Sequence, residues 1–332
     1  MVKVAVIGAG FIAQAHAAAY DAHPGAELAY VTDPVAAKAE ALADRYGAQR
    51  VEGLDALLAS DVEAVSICTP TPTHADIAIA ALAAGKHVLC EKPLARTLAD
   101  GRLVVEADHQ CAGLLMIGHV SRFEPDHRAA RDAVLEGRIG EVRMMAQSIV
   151  GEMPTWSEQN WLDDHAQSGG PLIDLAVHSF DYLTWVSGAM PERVHAVGSA
   201  RPDGLVDYAL ATVTYDNGAL AVVETSWAHP AGHGLEVATE LSGSEGRITW
   251  DYARSAVGTV KRSGQPPVQL SQLGDRGFRA EIGAFLEAVD AGSPSPVRAE
   301  EALLALEVAH AAAESLRTRR TVRLPHEVRE TG

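Results

Sequence analysis

A chain of 332 residues suits two domains of ordinary size. Hydrophobic residues at 47% and charged residues at 21% permit a sizeable core and exclude wholesale disorder. With 27 basic against 44 acidic residues the net charge is −17, a composition that argues against nucleic acid and anionic membranes as partners.

The first third alternates short apolar runs with helical patterns. Strands are expected at Val2–Ile7, Glu27–Asp33, Ala64–Thr69, His87–Cys90 and Leu114–Gly118. Helices are expected between them, near Phe11–Ala22, Val35–Tyr46, Ala75–Ala84 and Leu98–Cys111. Apolar strands separated by helices imply a parallel sheet buried on both faces, the doubly wound α/β arrangement. Further on, Gly169-Gly170-Pro171 introduces a helix predicted to run to Trp185. From about Glu192 to Leu270 strands follow one another directly, with a hairpin across Asp216-Asn217-Gly218. Two late helices are expected, Arg279–Ala291 and Arg298–Arg317. The change of pattern divides the chain into domains at 1–121 and 122–332, with a late helix free to pack back on the first.

Cys68, Cys90 and Cys111 are widely spaced, lack a C-x-x-C pair and suit a reducing compartment. The chain opens on a strand rather than on a basic start with a long apolar run, and no stretch approaches 18 consecutive apolar residues. A cytoplasmic protein is expected.

Gly8-Ala9-Gly10-Phe11-Ile12-Ala13 follows a strand and opens a helix, where bare amides and the positive end of the helix dipole attract a pyrophosphate. Gly8 permits the tight turn, Gly10 lets the phosphate approach, and Ala13 keeps helix and strand close. Asp33 ends the second strand 23 residues after Gly10. Its carboxylate can accept hydrogen bonds from the ribose hydroxyls and repel a 2′-phosphate. Pro34 and Val35 supply no arginine, so NAD is favoured over NADP. Gly8, Gly10, Phe11, Ile12 and Asp33 are the expected cofactor-binding residues of this region.

Lysine is scarce, with only five in the chain, yet Lys92 stands in Glu91-Lys92-Pro93 at the carboxyl end of a strand, where open α/β sheets bind ligands. Thr69, Pro70 and His74 end a neighbouring strand and are candidate contacts to the nicotinamide. Capping of the next helix is the other reading of His74. Asp174 and His178 stand four apart on the predicted helix and so share a face, with Asp181 a turn further on. A carboxylate beside an imidazole can orient the ring and stabilise its protonated form. A surface ion pair is an equally available reading. A metal site would need a third ligand, for which Asp163, Asp164 and His165 have no diagnostic spacing, and none is expected.

Taken together, these motifs resemble the Gfo/Idh/MocA family, relatives of glucose–fructose oxidoreductase and inositol dehydrogenase. The resemblance rests on Gly8–Ala13, Thr69-Pro70 with His74, Glu91-Lys92-Pro93, and the Gly169–Asp181 segment. It implies an N-terminal Rossmann domain and a C-terminal α/β domain with an open, largely antiparallel sheet. That sheet commonly serves self-association, so a homodimer or homotetramer is implied. The implied reaction is NAD-dependent oxidation of a secondary hydroxyl of a sugar or cyclic polyol, or its reverse. Lys92, Asp174 and His178 map onto the family's catalytic residues, with either His178 or Lys92 as proton acceptor. Glu91 and Lys92 are placed at the cofactor, Lys92 also tying the substrate to it, and Arg122, in Gly118–Phe123, is placed near cofactor or substrate. Trp156 and Trp161 are expected to stack on the substrate or to pack in the core. Glu152, Asp163 and His229 are weaker candidates for hydroxyl contacts. Thr71 and Pro171 depart from the residues usual in relatives.

Three rivals keep the scaffold. A non-catalytic NAD-binding regulator tends to lose the lysine or the aspartate–histidine pair, and all three residues are present. A lyase or glycosidase using transient oxidation would retain them, but would cleave a bond without accumulating NADH. A reductase of some other cyclic carbonyl compound is the third.

Overall fold

The computed structural model describes residues 1–155, 157, 160–252 and 277–324, and the backbone alone of 255–262 and 268–269. Its elements begin with β1 (Val2–Ile7), α1 (Phe11–Asp21), β2 (Ala26–Thr32), α2 (Ala36–Tyr46), β3 (Gln49–Arg50) and α3 (Leu54–Leu58). Next come β4 (Ala64–Ile67), α4 (His74–Ala83), β5 (His87–Glu91), α5 (Leu98–Gln110), β6 (Leu115–Gly118), α6 (Pro125–Leu135) and β7 (Val142–Glu152). The middle holds α7 (His165–Ser168), α8 (Gly170–Asp174), α9 (Ala176–Ser187), β8 (Pro191–Ala200), β9 (Val206–Tyr215) and β10 (Leu220–His229). The chain closes with β11 (Leu235–Gly243), β12 (Gly246–Asp251), β13 (Ser255–Arg262), β14 (Val268–Gln269), α10 (Gly277–Ala291), α11 (Ala299–Thr318) and β15 (Val322–Arg323). Packing divides these into two units. The first comprises Met1–Glu124, Pro154–Ser168 and Asp275–Leu304; the second comprises Pro125–Met153, Gly169–Gly274 and Ala305–Gly332.

The first unit is a parallel sheet in the order β3-β2-β1-β4-β5-β6. Strands β4 and β6 are buried at every residue, as parallel strands covered on both faces must be. Alanines make the close helix packing possible: Ala13 and Ala17 on α1 are fully buried. Helix α5 is started by Thr97, whose Oγ1 accepts the Asp100 N–H at 3.1 Å and donates to the Asp100 carboxylate at 2.7 Å. Helix α2 ends at Gly47 in the left-handed region, with φ of 69°. The order reverses between β1 and β4, so the two crossovers diverge there. The carboxyl ends of the strands at such a switch point are where open α/β sheets bind ligands.

The second unit is built on a nine-stranded sheet, ordered β14-β13-β12-β11-β7-β10-β9-β8-β15. Among the described residues only β7 and β10 pair in parallel; the other pairings of this sheet are antiparallel. Residues alternate across it: Ala209, Ala211, Val213 and Tyr215 of β9 are buried, as are Ala221, Val223 and Thr225 of β10. Helices α8 and α9 pack on this sheet. Phe180, Tyr182 and Leu183 of α9 are almost wholly removed from solvent, and truncating Phe180 to alanine would cost about 3–5 kcal/mol.

One expectation is corrected here. The helix predicted from Gly169 to Trp185 is two helices, interrupted at Leu175. The ladder tightens there: Leu175 N–H reaches Pro171 O at 3.1 Å, whereas His178 N–H reaches back only to Leu175 O at 3.3 Å. Pro171 O also accepts from Thr225 Oγ1 at 3.3 Å, a bond that draws the carbonyl towards the sheet. Among the described residues no helix is long and apolar enough to cross a membrane.

Candidate active site

The glycine loop leaves β1 at Gly8, which has φ of +90°. A side chain there would also place its Cβ 2.8 Å from Cys68 O, so both conformation and space demand glycine. Gly10 differs. A Cβ built on it meets nothing within 4 Å, so no protein atom requires its absence; the space lies before the first turn of α1, which has no side-chain cap. That open cradle at a helix N-terminus fits a pyrophosphate. Ala13 is fully buried, Ile12 is half-buried and Phe11 is 62% exposed.

Asp33 lies one residue past β2 and ties the loop to the strand. Its Oδ2 accepts the Ala9 N–H at 2.8 Å and its Oδ1 the Val35 N–H at 2.7 Å. Each oxygen keeps a further lone pair, enough for two ribose hydroxyls. Pro34 and Val35 are exposed and offer no cation to a 2′-phosphate. The loop and the carboxylate therefore fit NAD.

On the same sheet edge, His74 begins α4 without capping it. Its ring links two turns instead: Nδ1 faces Pro93 O at 2.8 Å and Nε2 faces Thr69 O at 2.9 Å. Burial pushes its pKa down, although both carbonyls favour the charged form. Thr69 is half-buried and Pro70 exposed; Thr73 Oγ1 contacts Thr69 Oγ1 at 2.7 Å and Pro70 O at 2.8 Å. Lys92 is half-buried and joined to Pro93 by a cis peptide. The Glu91 carboxylate turns inward: Oε1 meets His16 Nε2 at 2.9 Å and Oε2 accepts the Lys92 N–H at 3.1 Å.

Arg122, 5% exposed, donates to Glu301 Oε2 at 2.7 Å. Within the same unit Arg96, which no sequence motif singles out, donates to Ala166 O at 3.1 Å and His165 O at 3.0 Å. It thereby pins the segment leading to Gly169. Trp161 and Asp163 on that segment are half-buried, and Trp156 lies outside the described residues. In the second unit, Glu152 accepts the Gly232 N–H at 2.6 Å, and the rings of His229 and His233 are 4.5 Å apart.

Asp174, 8% exposed, ends α8, and His178, half-buried, lies in the first turn of α9. Leu175 between the helices keeps right-handed helical dihedrals of −99° and −51°, so the interruption does not turn the chain away. Asp181, a turn further on, is buried.

A parallel doubly wound sheet with a glycine cradle at its switch point and a ribose-type carboxylate defines a dinucleotide-binding protein. Residues 2–119 match an oxidoreductase family described by its NAD-binding Rossmann fold, and residues 131–324 match that family's C-terminal α/β domain. The chain belongs to this family, Gfo/Idh/MocA, and is an NAD-binding oxidoreductase. It is 31% identical to inositol 2-dehydrogenase of Rhizobium meliloti, covering 97% of this chain and 98% of that protein. Myo-inositol 2-dehydrogenase of Thermotoga maritima is 30% identical, with the same shares covered. A solved levoglucosan dehydrogenase in complex with NADH superposes with a TM-score of 0.89 at 25% identity, over 98% of this chain and 99% of the other.

Proposed function

We propose that the protein oxidises a secondary hydroxyl of a cyclic polyol or sugar, or runs the reverse reduction, with NAD as hydride acceptor. The observation that carries this reading is the likeness to inositol 2-dehydrogenases along nearly the whole chain. The presence of Lys92, Asp174 and His178 at the motif positions that the resemblance makes catalytic supports it.

NAD, when bound, supplies the carbon that accepts the hydride. Gly8, Gly10 and the first amides of α1 would hold its pyrophosphate, and Asp33 its adenosine ribose. Thr69, Pro70 and His74 would border it beside Lys92. His178 takes the hydroxyl proton as general base, and Asp174 orients the ring and stabilises its cationic form. Lys92 donates to the reacting oxygen and stabilises the charge that develops as the proton leaves. With NAD bound as hydride acceptor, transfer of the hydroxyl proton to His178 would leave the ketone as product. Trp161 offers an apolar face to the substrate ring. The open face of the second sheet is the surface proposed for assembly into dimers or tetramers, which light scattering would measure.

The test is NADH formation by purified protein with NAD and a panel of inositols, aldoses and anhydrosugars, with Lys92→Ala as control. Steady NADH production with one class, abolished in the variant, is the expected result. Bond cleavage without NADH accumulation, or silence across the panel despite tight NAD binding, would overturn the reading.

A further inference from the structure

His16 on α1, Glu91 at the end of β5 and Glu281 on α10 meet inside the first unit. They are 0%, 6% and 0% exposed, with their polar atoms within 4.8 Å of one another. Both ring nitrogens of His16 are engaged: Nε2 with Glu91 Oε1 at 2.9 Å, and Nδ1 with Ser66 Oγ at 2.7 Å. Ser66 Oγ also accepts from Tyr20 OH at 3.3 Å. The second oxygen of Glu91 holds the Lys92 N–H. Both carboxyl oxygens of Glu281 are buried without a hydrogen-bond partner among the described residues.

Charge decides what this arrangement is. Two ionised carboxylates around one imidazolium leave a net negative charge where nothing solvates it. One further proton closes the balance: His16 is cationic, Glu91 anionic, and Glu281 a neutral acid. We propose that the three residues share this proton, Glu281 donating towards Glu91, and that they brace the Glu91–Lys92–Pro93 turn from behind, making His16 and Glu281 positioning residues for Lys92. The role assigned to Lys92 rests on the reading of the protein as a polyol dehydrogenase.

The local electrostatics agree. Burial and the Glu91 charge hold the Glu281 carboxyl well above the usual carboxylate range. Against burial, His16 and then Lys92 hold Glu91 low. Against burial too, Cys68 and Glu91 hold His16 well above the ordinary imidazole value. The charged and titratable groups facing the cluster are His16 and Tyr20 from α1, Cys68 after β4, His74 from α4, Glu91 ending β5 with Lys92 after it, and Glu124 beyond β6. A divalent cation is the other way to neutralise two carboxylates, but it would need the lone pair of His16 Nε2 and break that nitrogen's contact with Glu91. The proton needs no such rearrangement. At high pH, loss of the Glu281 proton sets a second negative charge beside Glu91 and loosens the turn.

Infrared difference spectroscopy and kinetics test this together. At neutral pH the wild type should show the carbonyl stretch of a protonated carboxylic acid, and Glu281→Gln should remove it. Glu281→Leu should lower kcat on the order of tenfold through misplacement of Lys92, with little change in KM for NAD. Glu281→Gln should recover most of that loss and abolish the alkaline fall in kcat. The NMR signal of the Lys92 amide should move in the Leu variant and return in the Gln variant, a readout independent of turnover. If Glu281→Leu does not fold, the infrared stretch and the pH profile of kcat in Glu281→Gln decide. Absence of the stretch, a stoichiometric metal ion in the purified protein, or a Lys92 amide indifferent to both variants would overturn the proposal. Absence of turnover on every polyol, with the stretch and the amide response present, would instead overturn the proposed substrate class.

Discussion

The Ala9 amide donates to Asp33 Oδ2 at 2.8 Å, so the carboxylate assigned to the ribose also holds the pyrophosphate loop. The second oxygen is committed to Val35 N–H. Asp33→Ala therefore removes a loop tether and a barrier to the 2′-phosphate together. We expect KM for NAD to rise on the order of tenfold and the preference for NAD over NADP to narrow. Specificity constants measured with both cofactors check this. An unchanged ratio would assign the discrimination to another group.

Lys92→Ala and His178→Ala should each lower kcat on the order of a hundredfold or more, while NAD affinity changes little. Fluorescence titration of NAD beside steady-state assays separates the two effects. Near-normal turnover in both variants would remove them from the chemistry. If His178 is the base, its loss should also remove the acid limb of the kcat profile, whereas loss of Lys92 should leave that limb in place.

The sheet of the first unit was legible because its signals are local. Five of its six strands are short apolar runs separated by helical periods, and Gly8 and Gly10 are close neighbours in sequence; β3, Gln49–Arg50, has no apolar residue and gave no signal. Strand β7 was missed because Arg143 and the exposed Met144, straight after Val142, break the apolar alternation. Helix α6 was missed as well; its buried face is Asp126, His127, Ala130 and Ala133, which offers no large apolar residue at helical spacing. The interruption at Leu175 lies beside a long-range bond, from Thr225 Oγ1 to Pro171 O, whose partners stand 54 positions apart. Partners of buried polar groups are the least legible of all. His16 reads as one residue of an alanine-rich helix until Glu91 is brought to it from 75 positions further on. Arg122 meets Glu301 across 179 positions. Such pairs are products of topology, and local pattern carries no trace of them.

His74 spans Pro93 O and Thr69 O, joining the two turns that border the proposed nicotinamide position. A neutral imidazole can donate to only one of them at a time. His74→Ala leaves both carbonyls without the ring, and we expect a loss of about 1–3 kcal/mol in stability. Denaturant unfolding checks the figure. A raised KM for NAD in the folded variant would show that the link also shapes the cofactor site.

The second unit carries an acid-sensitive group of its own. His127 is 3% exposed, with its ring centroid 4.3 Å from that of Tyr182 and 5.0 Å from that of Trp250. Gln147 Nε2 approaches its Nε2 at 3.5 Å, whereas Nδ1 is buried without a hydrogen-bond partner among the described residues. Burial pushes the pKa from 6.5 down to about 3. Between these values the unfolded chain binds a proton that the folded chain refuses, so stability is present above the unfolded value and falls as pH drops below it. At about pH 5 the loss is about 2 kcal/mol from this residue alone. His74, also held low, adds in the same direction, while His16, held high, opposes it. His127→Gln, which never titrates, should begin less stable at neutral pH yet lose less on acidification. Unfolding midpoints of both proteins at neutral pH and at about pH 5 give the double difference. Equal losses in the two would mean that His127 takes up its proton in the folded state.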